Sequence, residues 1–173
     1  MSAADTPTKW EEAASIALSE IFAKVGELDA DAVSLETLRD ALDAFIQESF
    51  GKEHTDADVS GTYWRHIGAE AVVLSGTVTG DALTHDECWR VLCAKQYDYG
   101  PNNILRFSRP GLPGGLLVRC WDKVARLLNL RDRGVAPQNE SLRDSFLDLT
   151  NYAAIGLMVE RDWFLLPLDP PQS

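Results

Sequence analysis

Residues 140–157 read ESLRDSFLDLTNYAAIGL, and their polar and apolar residues alternate with the period of an α-helix. Three acids in this stretch, Glu140, Asp144 and Asp148, recur at every fourth position, and Asn151 follows nearly one turn later. At about 100° per residue these side chains form one polar stripe, while the apolar residues between them can pack inward. The stretch therefore predicts a long amphipathic helix with an acidic face.

A second polar stripe precedes this one. Arg119, Asp122, Arg126 and Asn129 are spaced i, i+3, i+7 and i+10, with Lys123 beside them. Short connections favour antiparallel neighbours, so we expect the two stripes to face each other across a groove. Carboxylates from both helices would then hold a metal ion, and the cationic side chains would hold phosphate oxygens. Two solvated faces joined by salt bridges would show the same spacing, and the residues alone leave both interpretations open.

Helical periodicity also dominates the rest of the chain. We predict further helices over about 8–24, from Ser34 as an N-cap, over about 63–74, from Thr84 to about 97, and over about 116–130. Asn139 is the predicted cap of the last helix, which would run from 140 to about 164. Residues 71–74 would also suit a strand, but a single strand has no partner. We therefore expect an all-α bundle of about six helices.

The composition is that of a globular chain, with 173 residues, of which 45% are hydrophobic and 25% charged. No run approaches the roughly 18 apolar residues of a membrane helix, and the first residues do not resemble a signal peptide, so we expect a cytoplasmic protein. A net charge of −11 would repel a nucleic acid polymer but permits a small phosphorylated ligand. The three cysteines contain no CxxC pair and indicate reduced thiols.

Four motifs follow one another in the second half of the chain. They are KQYDYG at 95–100, NI at 103–104, RCWDKVARLLNL at 119–130 and NESLRDSFLDLTNYA at 139–153. Together they resemble one branch of the MazG-like, all-α NTP pyrophosphatases, a branch common in phages and associated with nucleotide modification. The resemblance covers roughly 84–157, close to half of the chain.

The resemblance implies an enzyme that depends on Mg²⁺ or Mn²⁺ and cleaves nucleoside triphosphates to monophosphates and pyrophosphate. It implies a homodimer or homotetramer that acts on a deoxynucleotide pool, in the host cytoplasm if the chain is phage-encoded. The pyrophosphatase core would be formed by 81–166, with 1–80 as an N-terminal helical extension and 167–173 as a Pro-rich tail.

The resemblance also suggests a role for individual residues. The family's acidic motif falls on Glu140 and Asp144, and Asp122 would be the third metal ligand, whereas Arg119 stands where the wider superfamily often has glutamate. The predicted catalytic residues are Glu140, Asp144, Lys123 and Arg126, the two cations stabilising charge on the leaving pyrophosphate. The predicted nucleotide contacts are Lys95, Asp98, Asn103, Arg119, Asp148 and Asn151.

Two alternatives stay open. His85-Asp86, together with His54 or His66, suggests an HD-type metal phosphohydrolase, although an acid directly after the Thr84 cap also suits the first turn of a helix. The chain would otherwise be a nucleotide sensor or a helical protein-interaction module without turnover. A sensor would bind metal and nucleotide but release no pyrophosphate, and an interaction module would need neither.

Overall fold

The computed structural model describes residues 6–169, and these fold into α-helices and one short 3-10 turn without a β-strand. The helices are α1 (Trp10–Val25), α2 (Leu35–Ser49), α3 (Ala57–Thr79), α4 (His85–Tyr99), α5 (Asn102–Leu105), α6 (Gly114–Arg133) and α7 (Leu142–Glu160), with the 3-10 turn at Ala30–Ala32. The expected all-α class is confirmed. Among the described helices, none combines the length and the apolarity needed to cross a membrane.

Helix α7 is the axis of the bundle. From 145 to 160 every residue except Tyr152 is buried, because α3 packs along the helix and α1, α4 and α6 also contact it. A small residue lets α3 approach closely: a Cβ added at Gly156 would lie 2.3 Å from the Trp64 ring. The close packing of this crossing therefore depends on a glycine in α7.

The starts of α2 and α4 are as predicted. The Ser34 and Thr84 hydroxyls each accept a hydrogen bond from the backbone N–H three residues later, at 3.2 and 3.3 Å. Helix α3 begins earlier than predicted because the Asp56 carboxylate accepts from two first-turn N–H groups. The stretch 71–74 is helical, and α5 adds a helical turn in the loop after α4 that was not predicted.

The start of α7 differs from the prediction. Its N-cap is Ser141 rather than Asn139, and Ser141 forms a capping box with Asp144. The helix therefore begins at Leu142, and Glu140 lies in the loop before it instead of extending the acidic stripe.

The hydrophobic core is continuous across residue 80, where the sequence predicts a boundary between an extension and a pyrophosphatase core. Helix α2 packs on α3 and α6, and α1 packs on α3, α4 and α7. Phe45 of α2 stacks on Tyr63 of α3 with ring centroids 4.7 Å apart, and it meets Trp64 edge-on at 4.8 Å. Both halves of the chain thus contribute to one core.

After α7 the chain returns to the start of α1. The backbone N–H of Trp10 donates to the Pro167 carbonyl oxygen at 2.9 Å, and the backbone N–H of Asp169 donates to the Glu11 carboxylate at 2.8 Å. The first part of the predicted tail is therefore packed on α1, while 170–173 lie outside the described residues.

The loop before α6 is fixed at Gly111. Its N–H donates to Glu160 Oε2 at 2.9 Å, and its carbonyl accepts the Thr55 N–H at 2.9 Å. Gly111 has φ +71°, and a Cβ there would lie 1.9 Å from the His54 ring, so the position requires glycine. Burial raises the pKa of the Glu160 carboxyl, and the Gly111 hydrogen bond opposes this effect. These contacts set the position from which α6 begins.

Candidate functional site

A chain of charges joins α4, α6 and α7. The buried Asp148 carboxylate pairs through one oxygen with Lys95 Nζ at 2.6 Å and through the other with Lys123 Nζ at 2.7 Å. Lys123 also pairs with Glu140 at 2.8 Å. Two cationic partners compensate the loss of hydration that a buried carboxylate suffers. The arrangement brings the predicted residues of α6 and α7 side by side and adds a lysine from α4.

Lys123 and Arg126, the two predicted catalytic cations, are engaged at the start of α7. Arg126 donates to Ser145 Oγ at 2.6 Å and to two carbonyl oxygens of the loop before α7. Burial lowers the pKa of Lys123, but its hydrogen bonds to two carboxylates outweigh burial, and its pKa is raised above the usual value. Neither side chain lines the two cavities described below. In this arrangement both cations hold α6 against α7.

The three predicted metal ligands do not come together. The Asp144 carboxylate accepts from the Ser141 N–H and hydroxyl at 3.0 and 2.8 Å, and Glu140 is paired with Lys123. Asp122 lines a cavity that neither Glu140 nor Asp144 lines. Within 6–169, no group of three or more His, Cys, Asp or Glu side chains is placed to hold a metal ion. The donor set thus does not fit a Mg²⁺ or Mn²⁺ ion held by the protein alone.

One cavity, the polar cavity, lies among α4, α5, α6 and α7 and has a volume of about 350 Å³. Five of the predicted nucleotide contacts line it: Lys95, Asn103, Arg119, Asp148 and Asn151. The remaining predicted contact, Asp98, is exposed on α4 and does not line it. Tyr99, Leu92 and Ile155 form much of the apolar part of the wall. The structure therefore gathers most of the predicted contacts into one site.

A second cavity, the apolar cavity, has a volume of about 600 Å³ and shares Asn103, Ile104 and Arg119 with the polar cavity. Two aromatic side chains on its wall, Phe50 and Phe107, are 60% and 66% exposed. Single exposed apolar side chains are common, but these two line the same cavity, and apolar side chains that are exposed together can mark a binding surface. The two cavities therefore adjoin at these shared residues, and together they are called the cleft.

Phe50 and Phe107 were not predicted as site residues. Phe107 lies in a loop shortly after the NI motif at 103–104. An aromatic residue so close to a motif is a local signal for a residue of the binding site. Phe50 follows α2, far from every motif, and only the packing of α2 on α6 brings it to the cleft. No local pattern identifies it.

Arg119 stands on the wall shared by both cavities. Its guanidinium donates a long hydrogen bond of 3.4 Å to the Asn103 carbonyl oxygen, and it forms no ion pair with any described residue. Arginine stays protonated at neutral pH and presents several N–H donors in a planar fork. Unlike Lys95 and Lys123, whose two charges are balanced by Asp148 and Glu140, Arg119 retains a cationic charge for an anionic ligand.

Asn151 is a buried polar group without a partner. The residue is 3% exposed, and neither Nδ2 nor Oδ1 is hydrogen bonded within 6–169. Most buried side-chain polar atoms in proteins have such a partner, because leaving one unpaired costs about 1–3 kcal/mol. Asn151 also lines the polar cavity.

His85 and Asp86, the pair that suggested an HD-type site, have separate surroundings. His85 Nε2 lies 3.1 Å from the Ser15 carbonyl oxygen, and its ring packs edge-on against Phe22 at 5.8 Å. Asp86 pairs with Arg90 on the surface of α4 at 3.0 Å. His85 therefore belongs to the contact between α1 and α4, and neither residue lines the cleft.

The chain matches no protein-family model, no curated protein and no solved structure.

Proposed function

We propose that the cleft binds a nucleotide and that Arg119 holds a phosphate group of this ligand. The proposal is carried by one observation, that Arg119 lines both cavities and has no anionic partner among residues 6–169. A guanidinium fork can donate two parallel hydrogen bonds to a phosphate. Lys95 supports the same ligand, because its half-exposed ammonium uses one N–H for Asp148 and has others to donate.

The dimensions and surfaces of the cleft also suit a nucleotide. Its cavities, of about 350 and 600 Å³, fall in the range of small-molecule sites. Aromatic side chains at Tyr99 and Phe107 offer faces on which a base can stack. The overall charge of −11 favours a small ligand held by local cations over a nucleic acid polymer.

A second candidate is turnover of the bound nucleotide to a monophosphate and pyrophosphate, the reaction that the motif resemblance implies. Asp122 favours it, because this exposed carboxylate lines the apolar cavity beside Arg119 and has no ion pair within the described residues. A carboxylate that lines the cleft can accept a proton from an attacking water. The dependence on Mg²⁺ or Mn²⁺, the deoxynucleotide pool, the cytoplasmic location and the homodimer or homotetramer stay predictions.

Isothermal titration calorimetry with the eight common NTPs and dNTPs tests the binding proposal. Arg119→Ala should weaken the preferred nucleotide about 10- to 100-fold, as expected for charge-assisted hydrogen bonds of about 1.5–3 kcal/mol. Arg133→Ala is the matched control, since Arg133 is an exposed arginine near the far end of the same helix and should leave affinity unchanged. Equal affinity in Arg119→Ala and wild type, or no binding of any nucleotide, would refute the proposal.

A product assay with the same nucleotides separates binding from turnover. Reactions with Mg²⁺, with Mn²⁺ and with EDTA are resolved into mono- and diphosphates, phosphate and pyrophosphate. Release of monophosphate and pyrophosphate in equal amounts would establish a pyrophosphohydrolase, and binding without release would establish a sensor. If neither occurs, the exposed surface around Phe50 and Phe107 favours a protein-interaction module.

A further inference from the structure

We propose that Asn151 recognises the base of the nucleotide by hydrogen bonding to a donor and an acceptor that are neighbours on the edge of the base. This inference rests on the nucleotide binding proposed above and adds the orientation of the ligand. The base occupies the polar cavity, and Arg119 binds the phosphate closest to the sugar at the wall between the cavities.

The first argument is the state of the Asn151 side chain. It is 3% exposed, lines the polar cavity and has no hydrogen-bond partner for Nδ2 or for Oδ1 among residues 6–169. A group of this kind lowers the stability of the free protein, and a ligand that satisfies it recovers the lost interaction. Both the donor and the acceptor of the amide need a partner.

The second argument is chemical. Phosphate oxygens only accept hydrogen bonds, so a phosphate would satisfy Nδ2 and leave Oδ1 unpaired. A base edge presents a donor next to an acceptor, and the bidentate contact of asparagine with N6 and N7 of adenine shows that the spacing fits an amide. A base edge therefore complements both halves of the Asn151 amide, which a phosphate does not.

The third argument is the wall of the polar cavity. Leu92 and Ile155 contribute apolar surface for the faces of a planar ring, and Tyr99, which is 69% exposed, adds an aromatic ring. Asp148 precedes Asn151 by three residues on α7, so the ion pair of Asp148 with Lys95 lies on the same helix face as the amide. Lys95 and Arg119 line the same cavity as Asn151, so both cations are available to the phosphates of a ligand whose base edge binds the amide.

The test compares wild type with Asn151→Leu, which keeps the number of side-chain heavy atoms, by calorimetry with two probes. The preferred nucleotide should lose affinity about 5- to 150-fold, the range for one bidentate amide–base contact. Inorganic tripolyphosphate, which has phosphates but no base, should bind both proteins equally. An NMR titration of wild type adds a direct readout: the Asn151 side-chain NH₂ signal, assigned by its absence in the variant, should shift with nucleotide and not with tripolyphosphate.

Three results would overturn the inference. An equal loss of affinity for both probes would give Asn151 a structural role only. Unchanged nucleotide affinity in Asn151→Leu, with weaker binding in Phe107→Ala, would place the base in the apolar cavity. If wild type binds nucleotide and tripolyphosphate equally, the phosphate site stands but base recognition by Asn151 is refuted. If wild type binds neither probe, the proposed nucleotide binding is refuted as well.

Discussion

Replacing Asn151 with leucine should make the free protein more stable. The side chain is 3% exposed in α7, and neither amide atom has a partner within the described residues. An unpaired buried polar group costs about 1–3 kcal/mol, and leucine, with the same number of heavy atoms, removes this cost. Leucine also has the better helix propensity. We therefore expect the free energy of unfolding to rise by about 1–3 kcal/mol, which corresponds to about 2–12 °C in Tm for a chain of this length.

Urea denaturation and differential scanning calorimetry of the ligand-free proteins measure this change, with an unchanged urea m-value showing that the unfolded state is not altered. Asn129→Leu is the matched control, because Asn129 is an exposed asparagine in α6 and should change stability by no more than about 0.5 kcal/mol. If Asn151→Leu is no more stable than Asn129→Leu, the Asn151 amide is already satisfied in the free protein. That result would refute the argument that a ligand must supply its partners.

Three further predictions concern packing, the start of α7 and pH. Gly156→Ala places a methyl group 2.3 Å from the Trp64 ring and should lower the free energy of unfolding by about 1–3 kcal/mol. Gly61→Ala is the control, because its methyl group meets nothing closer than 3.5 Å and should not lower stability. Urea denaturation compares the two variants. Arg126→Ala should lower the free energy of unfolding by about 1–3 kcal/mol, and calorimetry should show unchanged nucleotide affinity. Lost affinity in a folded variant would instead support the predicted catalytic role of Arg126. Burial raises the pKa of the Glu160 carboxyl, so the native state binds more protons than the unfolded state between about pH 4.5 and the raised pKa. The free energy of unfolding should therefore fall as pH rises through this window. Urea midpoints measured across pH should show this fall in wild type and not in Glu160→Gln, and parallel profiles would contradict it.

The helical class could be predicted because it depends on local periodicity and on capping residues. Ser34 and Thr84 are of this kind, since each hydroxyl bonds to an N–H in its own first turn. The start of α7 was placed two residues early because Asn139 and Ser141 are both good caps. Asp144, three residues after Ser141, was the local signal that distinguishes them, since it completes a capping box.

That several polar residues share one cavity could be predicted from the sequence, but the pairing of their charges could not. Lys95, Arg119 and Asn151 meet in one cavity because the motifs that carry them lie on helices that pack together. The pairing of Lys95 with Asp148, which is 53 residues away, depends on the packing of α4 on α7. Periodicity places a charge on a helix face, but it does not show which neighbour neutralises that charge.

The central position of α7 has a consequence for the synthesis of the protein on the ribosome. Helices α1 and α3 emerge first, yet both pack on α7, which covers more of α3 than any other helix does. The roughly 60 residues between the end of α3 and the start of α7 take about 3–12 s to translate at usual rates. During that interval the apolar side of α3 has no α7 to cover it, so the nascent chain is exposed to aggregation and to chaperones. A chain that stops before residue 142 would lack the element around which the others assemble.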